Sequence, residues 1–142
     1  MVEHFDLKIM TKNDYDVAYI GSKVKEIVDN SKISNGIVSV ITAHTSTGIL
    51  VTEPLECIVS DLEVLLRSIV DDDAEYSHAH FLSTYGRTSA NATGHLRSIL
   101  TGNNCLFPIR NGKMLLGAAQ DILLMEFDGP QERRVFIEII GE

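Results

Sequence analysis

The segment Gly36–Thr52, GIVSVITAHTSTGILVT, decides the fold of this 142-residue chain. Its first part, Gly36 to Ala43, is rich in β-branched residues and predicts a central strand, and Ile49 to Thr52 predicts a second strand. Between them lies the turn His44-Thr45-Ser46-Thr47-Gly48, which is polar and rich in hydroxyl groups. Polar residues between two strongly apolar runs are not core filler, so this turn is a candidate for a functional role.

The flanking segments predict a strand and two helices. Val2 to Met10 alternates between apolar and polar residues, which is typical of an edge or outer-face strand. From Tyr15 to Val28, apolar residues recur at steps of three and four, which predicts an amphipathic helix. A second apolar stripe, from Ile58, predicts a helix that ends near Val70. The acidic run Asp71-Asp72-Asp73 follows it.

The remaining sequence predicts a loop, a short helix and four strands. Ala74 to Asn91 is irregular and predicts a long loop, and Asn91 is placed to cap a helix over Ala92 to Leu100. The strands are predicted at Cys105 to Ile109, Met114 to Leu116, Gln120 to Phe127 and Val135 to Ile140. Strands and helices do not alternate strictly along the chain. We therefore predict one α+β domain over residues 1–142, with a mainly antiparallel sheet and two to three helices.

Composition restricts the class of protein and of partner. The formal net charge is −8, and the 12 Lys and Arg residues are scattered, which argues against nucleic-acid binding. The longest uncharged stretch, Ile33 to Thr52, contains polar residues throughout, so no membrane-spanning helix is expected. The N-terminus lacks the pattern of a signal peptide, and Cys57 and Cys105 form no CxxC pair. We expect a cytoplasmic protein with two buried free thiols.

Histidine is the first indication of chemistry. His44, His78, His80 and His95 fall in polar segments between the regular elements. Neutral imidazole is the commonest metal ligand, and three imidazoles with one open position are typical of a catalytic zinc site. The spacing fits a metal or anion site, but also ordinary solvated or structural histidines. If extended, His78-Ala79-His80 would place both imidazoles on the same side.

Two further pairs leave alternatives open. Asn91 and His95 are four residues apart on the predicted helix and share a face, which fits a cleft or a capped surface helix. Glu126 lies in an apolar strand, where it needs a partner or has a catalytic role, and Arg133 or Arg134 on the neighbouring strand could supply the partner. Phosphate-loop, dinucleotide-binding and nucleophile-elbow motifs do not occur.

Five ordered motifs resemble those of one known family. They are His44-Thr45-Ser46-Thr47-Gly48 with Glu53, Asp61-Leu62, Tyr76-Ser77-His78, Asn91-Ala92-Thr93-Gly94-His95, and Gly117-Ala118-Ala119-Gln120 leading to Glu126-Phe127-Asp128-Gly129-Pro130. Together they resemble the YjbQ-like family, whose members are named as secondary thiamine-phosphate synthases. The resemblance implies a homotrimeric α+β protein with a polar pocket, often with a metal or an anion. The reaction joins a thiazole phosphate to an aminopyrimidine diphosphate and releases pyrophosphate.

The resemblance also implies roles for individual residues. The expected catalytic residues are His44, Asn91, His95 and Gln120, and the expected ligands of a divalent metal, Zn²⁺ or Mg²⁺, are His44, His78 and His95. Thr45, Thr47 and Arg97 are expected to bind substrate. His80 has no clear counterpart in the family. The chain carries Ala119 and Gln131 where the family usually has Trp and Arg, which removes an aromatic wall and a cation that could meet phosphate.

A phosphate-bearing small molecule is therefore the expected substrate, and its charge is a constraint. Departure of pyrophosphate normally needs Mg²⁺ or basic side chains. Arg87, Arg97 and Lys113 are candidates, and Asp71, Asp72 or Asp73 could hold Mg²⁺. The alternative to an enzyme is a trimeric metal- or small-molecule-binding protein that uses the same pocket without turnover. A structural or interaction protein would instead disperse the motif residues over the surface.

Overall fold

The computed structural model describes residues 1–80 and 91–142, with the side chains of residues 79 and 80 left out. The strands are β1 (Val2–Met10), β2 (Asp16–Tyr19), β3 (Gly36–Thr42), β4 (Thr47–Thr52), β5 (Asn104–Arg110), β6 (Lys113–Met114), β7 (Asp121–Glu126) and β8 (Glu132–Gly141). The helices are α1 (Gly21–Asp29), α2 (Glu56–Ile69), α3 (Ser77–His80) and α4 (Ala92–Thr101). Most of the predicted loop, with Arg87, lies outside the described residues.

The larger sheet has the strand order β1-β8-β3-β5-β6, and all its pairings are antiparallel. As predicted, β1 lies at an edge and β3 lies centrally. Alternate residues of β3 and β8 point inward, so that Val38, Val40, Val135, Ile137 and Ile139 are buried. The α+β prediction with a mainly antiparallel sheet is confirmed.

The smaller sheet, β2-β7-β4, is covered on both faces. Ile122 and Leu124 of β7 pack into the main core with α1 and the larger sheet, whereas Leu123 and Met125 pack against Leu66 of α2. This position explains the nearly continuous apolar sequence of β7, since neither face of the strand meets water. β7 is therefore the innermost strand of the molecule.

The predicted helix over Tyr15 to Val28 is wrong in its first third. Asp16–Tyr19 forms β2, which pairs with β7, and the helix begins only at Gly21. Val17 packs on the α2 side of the sheet and Ala18 packs toward the main core, as strand geometry requires. The physical reason is that β7 needs partners on both edges, because its buried backbone groups would otherwise lack hydrogen bonds.

Gly48 allows α4 to lie close against β4. A Cβ at this position would lie 2.0 Å from Thr101 Oγ1 of α4. Ser98 of α4 also donates a hydrogen bond from its hydroxyl group to the backbone carbonyl of Thr47. The missing side chain and this bond together set the distance between helix and strand.

A buried ion pair joins β7 to β8. Arg133 Nε donates to Glu126 Oε1 at 2.7 Å, and Arg133 Nη2 donates to Glu126 Oε2 at 2.6 Å. The Thr11 hydroxyl donates to Glu126 Oε1 at 2.7 Å, and Arg133 Nη2 donates to Ser46 Oγ at 3.0 Å. The structure thus supplies a partner for Glu126, and of the two candidates it is Arg133; the guanidinium of Arg134 lies near Asp6 on the surface instead.

In the part of the chain that the structure describes, no helix combines the length and the apolar composition needed to cross a membrane.

Removing one partner of the buried pair should destabilise the fold strongly. We expect Glu126→Gln and Arg133→Met each to lower the free energy of unfolding by about 3–5 kcal/mol, because each leaves a buried polar group without its counterpart. The double variant should lose less than the sum of the two. Urea denaturation measures all three. Arg134→Met, on the surface, is the control and should change stability by less than about 1 kcal/mol; equal losses in the control and in Arg133→Met would contradict the assignment.

Candidate functional site

The three histidines predicted to act together line one cavity of about 690 Å³. His44 follows β3, His78 lies on α3, and His95 lies on α4. Thr45 and Ser98 also line this cavity, which we call the histidine pocket. Ser98 was missed by the sequence analysis, although it lies three residues after His95 and therefore on the same side of the helix.

His44 is held in one protonation state. Its Nε2 accepts a hydrogen bond from the backbone N–H of Arg134 at 2.8 Å, so this nitrogen carries no proton and the neutral ring carries its proton on Nδ1. Burial lowers the pKa of His44, and the positive charge of Arg133 lowers it further, while Glu126 acts in the opposite direction. His44 is therefore neutral at physiological pH, with an Nδ1–H donor that is not used in this bond.

His95 also carries the proton of its neutral ring on Nδ1, but in this residue Nε2 is the nitrogen left free. Its Nδ1 lies 3.0 Å from the backbone carbonyl of Thr45, which can only accept, so the proton of the neutral ring is on Nδ1. Nε2 then keeps its lone pair and can act as a base or as a ligand. A hydrogen bond from histidine to a backbone carbonyl is also the usual way in which proteins orient a catalytic or metal-binding imidazole.

His78 packs beside His95, with the ring centroids 5.3 Å apart. Its Nδ1 is buried and makes no hydrogen bond with any residue that the structure describes. The backbone from Ser77 to His80 forms a helical turn within the predicted loop and is not extended. The His80 side chain lies outside the described residues.

A three-histidine metal site does not fit this arrangement. His44 already uses Nε2 as an acceptor, and binding a metal through Nδ1 would require a proton on Nε2, where the Arg134 N–H points. Among residues 1–80 and 91–142, no group of three His, Cys, Asp or Glu side chains is arranged to hold a metal ion. His78 and His95 remain as neighbouring imidazoles that could contribute two ligands.

Two of the three predicted Mg²⁺ ligands, Asp71 and Asp72, have carboxylates that are engaged in other bonds. Asp72 accepts a hydrogen bond from Arg97 Nη2 at 2.8 Å and also pairs with Arg67. Burial acts to raise the pKa of Asp72, but the hydrogen bonds and charges of the two arginines outweigh it, and the pKa lies below its usual value. Asp71 Oδ1 accepts a hydrogen bond from the backbone N–H of Asp73. The acidic run thus anchors the end of α2 to α4.

Two predicted substrate-binding residues lie away from the histidine pocket. Thr47 is fully buried, and its hydroxyl is 2.6 Å from that of Thr42, so the substrate contact predicted for it does not fit. Arg97 is only 4% exposed and donates to the Val70 carbonyl and to Asp72, so it organises the protein interior. Lys113 pairs with Asp29 on the surface.

Gln120 lies at the opposite end of β7 from the histidine turn. Thr47 pairs with Glu126 and Thr52 pairs with Asp121, so the strand runs away from the pocket toward Gln120, over roughly 20 Å at ~3.3 Å per residue. The Gln120 side chain is exposed and accepts a hydrogen bond from the Gly117 N–H. Within one chain, Gln120 therefore does not reach the histidines.

Asn91 faces a different cavity from His95. It occupies the N-cap position of α4 but makes no side-chain capping bond. Instead, Asn91 Nδ2 donates to Asp128 Oδ2 at 3.0 Å, and both residues line a second cavity of about 340 Å³. A third cavity, lined by Tyr76, His78 and His95 among others, lies between the two. Asn91 and His95 therefore line different cavities, although they lie four residues apart.

Comparisons with known proteins agree on one family. A family model described as "UPF0047 protein YjbQ-like" matches residues 5–142. The chain is 33% identical to a UPF0047 protein of Methanothermobacter thermautotrophicus, over 96% of this chain and 91% of that protein. It is 27% identical to the UPF0047 protein YugU of Bacillus subtilis, over 95% and 97% of the two chains.

Two solved structures are similar over nearly their whole lengths. One, from Sulfolobus solfataricus, is described as a YbjQ-like protein of unknown function; it has a TM-score of 0.91 and 29% identity and covers 100% of this chain and 99% of its own. The other, a conserved yjbq/upf0047 protein from Clostridium acetobutylicum, has a TM-score of 0.84 and 32% identity, with 96% and 99% coverage.

The lowered pKa of His44 predicts acid sensitivity. A folded-state pKa below the unfolded value of 6.5 means that the unfolded chain binds the proton more readily. The stability that depends on neutral His44 is therefore present above pH 6.5 and is lost as the pH falls through the lower folded-state pKa. In His44→Gln the amide oxygen can still accept from Arg134. From neutral pH to about pH 5, the wild type should lose more unfolding free energy in urea titrations than this variant; parallel pH profiles would contradict the prediction.

Proposed function

The chain belongs to the UPF0047 YjbQ-like family, and we propose that its histidine pocket is the active site of a small transferase of the thiamine-phosphate synthase type. The observation that carries this proposal is that one imidazole has a free N–H donor and the other has a free nitrogen lone pair. His44 offers an Nδ1–H donor and His95 offers an Nε2 lone pair, and each is fixed by a hydrogen bond to the backbone. We also propose a cytoplasmic location, since both cysteines are free thiols, which are usual in a reducing compartment. The prediction that both thiols are buried is wrong, because Cys57 is exposed and Cys105 is only partly buried.

The reaction defines what the pocket must provide. The ring nitrogen of the thiazole phosphate attacks the methylene carbon of the aminopyrimidine diphosphate, and the C–O bond breaks with its electron pair going to the departing pyrophosphate. The nitrogen attack needs no base. Negative charge grows on the departing oxygen, and hydrogen-bond donors directed at it lower the barrier.

His44 and His95 can supply such donors. The Nδ1–H group of His44 can bind a phosphate oxygen without a change in protonation. His95 can take up a proton at Nε2 and then donate it to the departing pyrophosphate, which is general acid catalysis. Thr45 lines the same wall and adds a hydroxyl group.

A divalent cation would add charge stabilisation of the departing pyrophosphate. His78 and His95 would be the described residues to hold a soft metal such as Zn²⁺. Because Nδ1 of His95 is bound to the Thr45 carbonyl, Nε2 would be the ligand, and the charge of the metal would then replace proton donation by His95. His44 is better suited to the substrate than to the metal, because its Nε2 is engaged with Arg134.

A binding protein without turnover is the second candidate. It is favoured by the absence of Lys and Arg among the described residues that line the histidine pocket. The Nδ1–H of His44 can donate to a phosphate monoester, whereas departure of pyrophosphate demands more positive charge.

Turnover with His95 variants separates the two candidates. Purified wild-type protein, given thiazole phosphate and aminopyrimidine diphosphate, should form thiamine phosphate, and His95→Ala should reduce kcat by about 10²–10⁴-fold because the proton donor is lost. His4→Ala is the matched control, since His4 lies on the surface beside Glu138. Thiazole phosphate binding without measurable turnover would favour the binding protein; activity that persists in His95→Ala would overturn the assignment.

We further propose that the protein is a homotrimer that assembles through the outer face of the larger sheet. Five exposed apolar side chains share this face, and we call them the apolar sheet face: Ile37, Ile41, Leu106, Phe136 and Ile140. Ile41 pairs with Phe136, and Ile37 pairs with Ile140, so the residues are contiguous. Monomeric proteins rarely expose large contiguous apolar patches. A neighbouring copy could also bring its Gln120 to a histidine pocket.

Light scattering with size-exclusion chromatography tests the assembly. The wild type should have three times the 15.7 kDa mass of one chain. Phe136→Glu should dissociate it, because the charge would be buried in the interface. Lys8→Glu, on the same side of the sheet at its edge strand, should remain trimeric. A wild-type mass of 15.7 kDa would contradict the proposal.

A further inference from the structure

The second cavity differs chemically from the histidine pocket. It has a volume of about 340 Å³, and three carboxylates line it, those of Asp14, Asp72 and Asp128. Arg97 and Asn91 complete its polar wall. We call it the acidic cavity, and we propose that it binds a small organic cation bearing an ammonium or guanidinium group. This inference does not depend on the function of the histidine pocket.

Among the described residues, the charges of the acidic cavity are only partly balanced. Arg97 compensates Asp72, to which it donates at 2.8 Å. Asp14 and Asp128 form no ion pair with any residue in the described part of the chain. Two uncompensated carboxylates around one cavity repel a phosphate and attract a cation.

Asn91 presents an unused acceptor at the same place. Its Nδ2 donates to Asp128 Oδ2, which fixes the orientation of the amide. Its Oδ1 is buried and has no hydrogen-bond partner among the residues described. A buried acceptor without a partner is unfavourable, so the site favours an occupant that donates N–H groups.

Arg97 gives an independent sign that the cavity takes a polar occupant. The side chain is only 4% exposed, yet its Nε has no partner within the described ranges. An apolar ligand would leave this donor and the Asn91 acceptor unsatisfied. A hydrated cation satisfies both, since its N–H groups can reach the acceptors and its water can accept from Nε.

Size and donor count favour a small amine over a metal ion. The volume lies at the lower end of the range for small-molecule sites, about 300–1,000 Å³. Within the described chain no three acidic or histidine side chains are arranged for a metal. An ammonium group has three N–H donors, and Asp14, Asp128 and Asn91 Oδ1 offer three sets of acceptors.

Calorimetric titration with agmatine, which carries a guanidinium and an ammonium group, tests the proposal. The wild type should bind agmatine with one site per chain. Asp128→Asn and Asp14→Asn should each weaken the affinity by about tenfold or more, which corresponds to ~1.4 kcal/mol for a tenfold change. Two variants are used so that a folding defect in one does not decide the result.

Asp73→Asn is the matched control. It removes the same single charge from an acidic protein, but Asp73 is exposed and does not line the cavity. Its affinity should equal that of the wild type. Absence of agmatine binding to the wild type would overturn the proposal, and so would an equal loss in all three variants, which would show nonspecific attraction by the net charge.

Discussion

The buried pair of Glu126 and Arg133 is the interaction on which the rest of the structure depends. Removing these charges from water is costly, and only complete hydrogen bonding makes their burial tolerable. The bonds to Thr11 and Ser46 extend the pair to the segment after β1 and to the histidine turn. The next residue, Arg134, binds His44 through its backbone N–H. Arg133 and Arg134, two successive residues of β8, therefore hold the histidine turn in place. The same segment thus stabilises the core and positions the site.

The use of arginine explains the character of both cavities in this acidic chain. Arg133 is committed to Glu126, and Arg97 is committed to Asp72. Neither guanidinium is therefore free to compensate a ligand. Among the described residues, the histidine pocket is lined by imidazoles with no Lys or Arg, and Asp14 and Asp128 of the acidic cavity form no ion pair. The same helix, α4, contributes residues to both cavities. If the two proposals hold, α4 separates a site for a negative ligand from a site for a positive one.

The sequence predicted the elements whose periodicity matches one buried face, such as β3 and α2. The family resemblance selected His44, His78 and His95, which line one cavity. The predictions from sequence were wrong where strand pairing between distant residues determines the structure more strongly than the local sequence pattern. Asp16–Tyr19 becomes a strand because β7 needs an edge partner, which no local signal reveals. Motif order could not show that Gln120 lies at the far end of β7. Asp14 was not recognised, because only the fold brings it beside Asp128.

The close approach at Gly48 has a consequence for the shape of the pocket. His44 and Thr45 stand on the side of the strands, and His95 and Ser98 stand on α4, so the gap between helix and strand is also the gap between the two walls. A methyl group at residue 48 would meet Thr101 and push the helix outward. The hydrogen bond from His95 to the Thr45 carbonyl would then lengthen. The width of the pocket between α4 and the strands therefore depends on Gly48 having a hydrogen atom in place of a side chain.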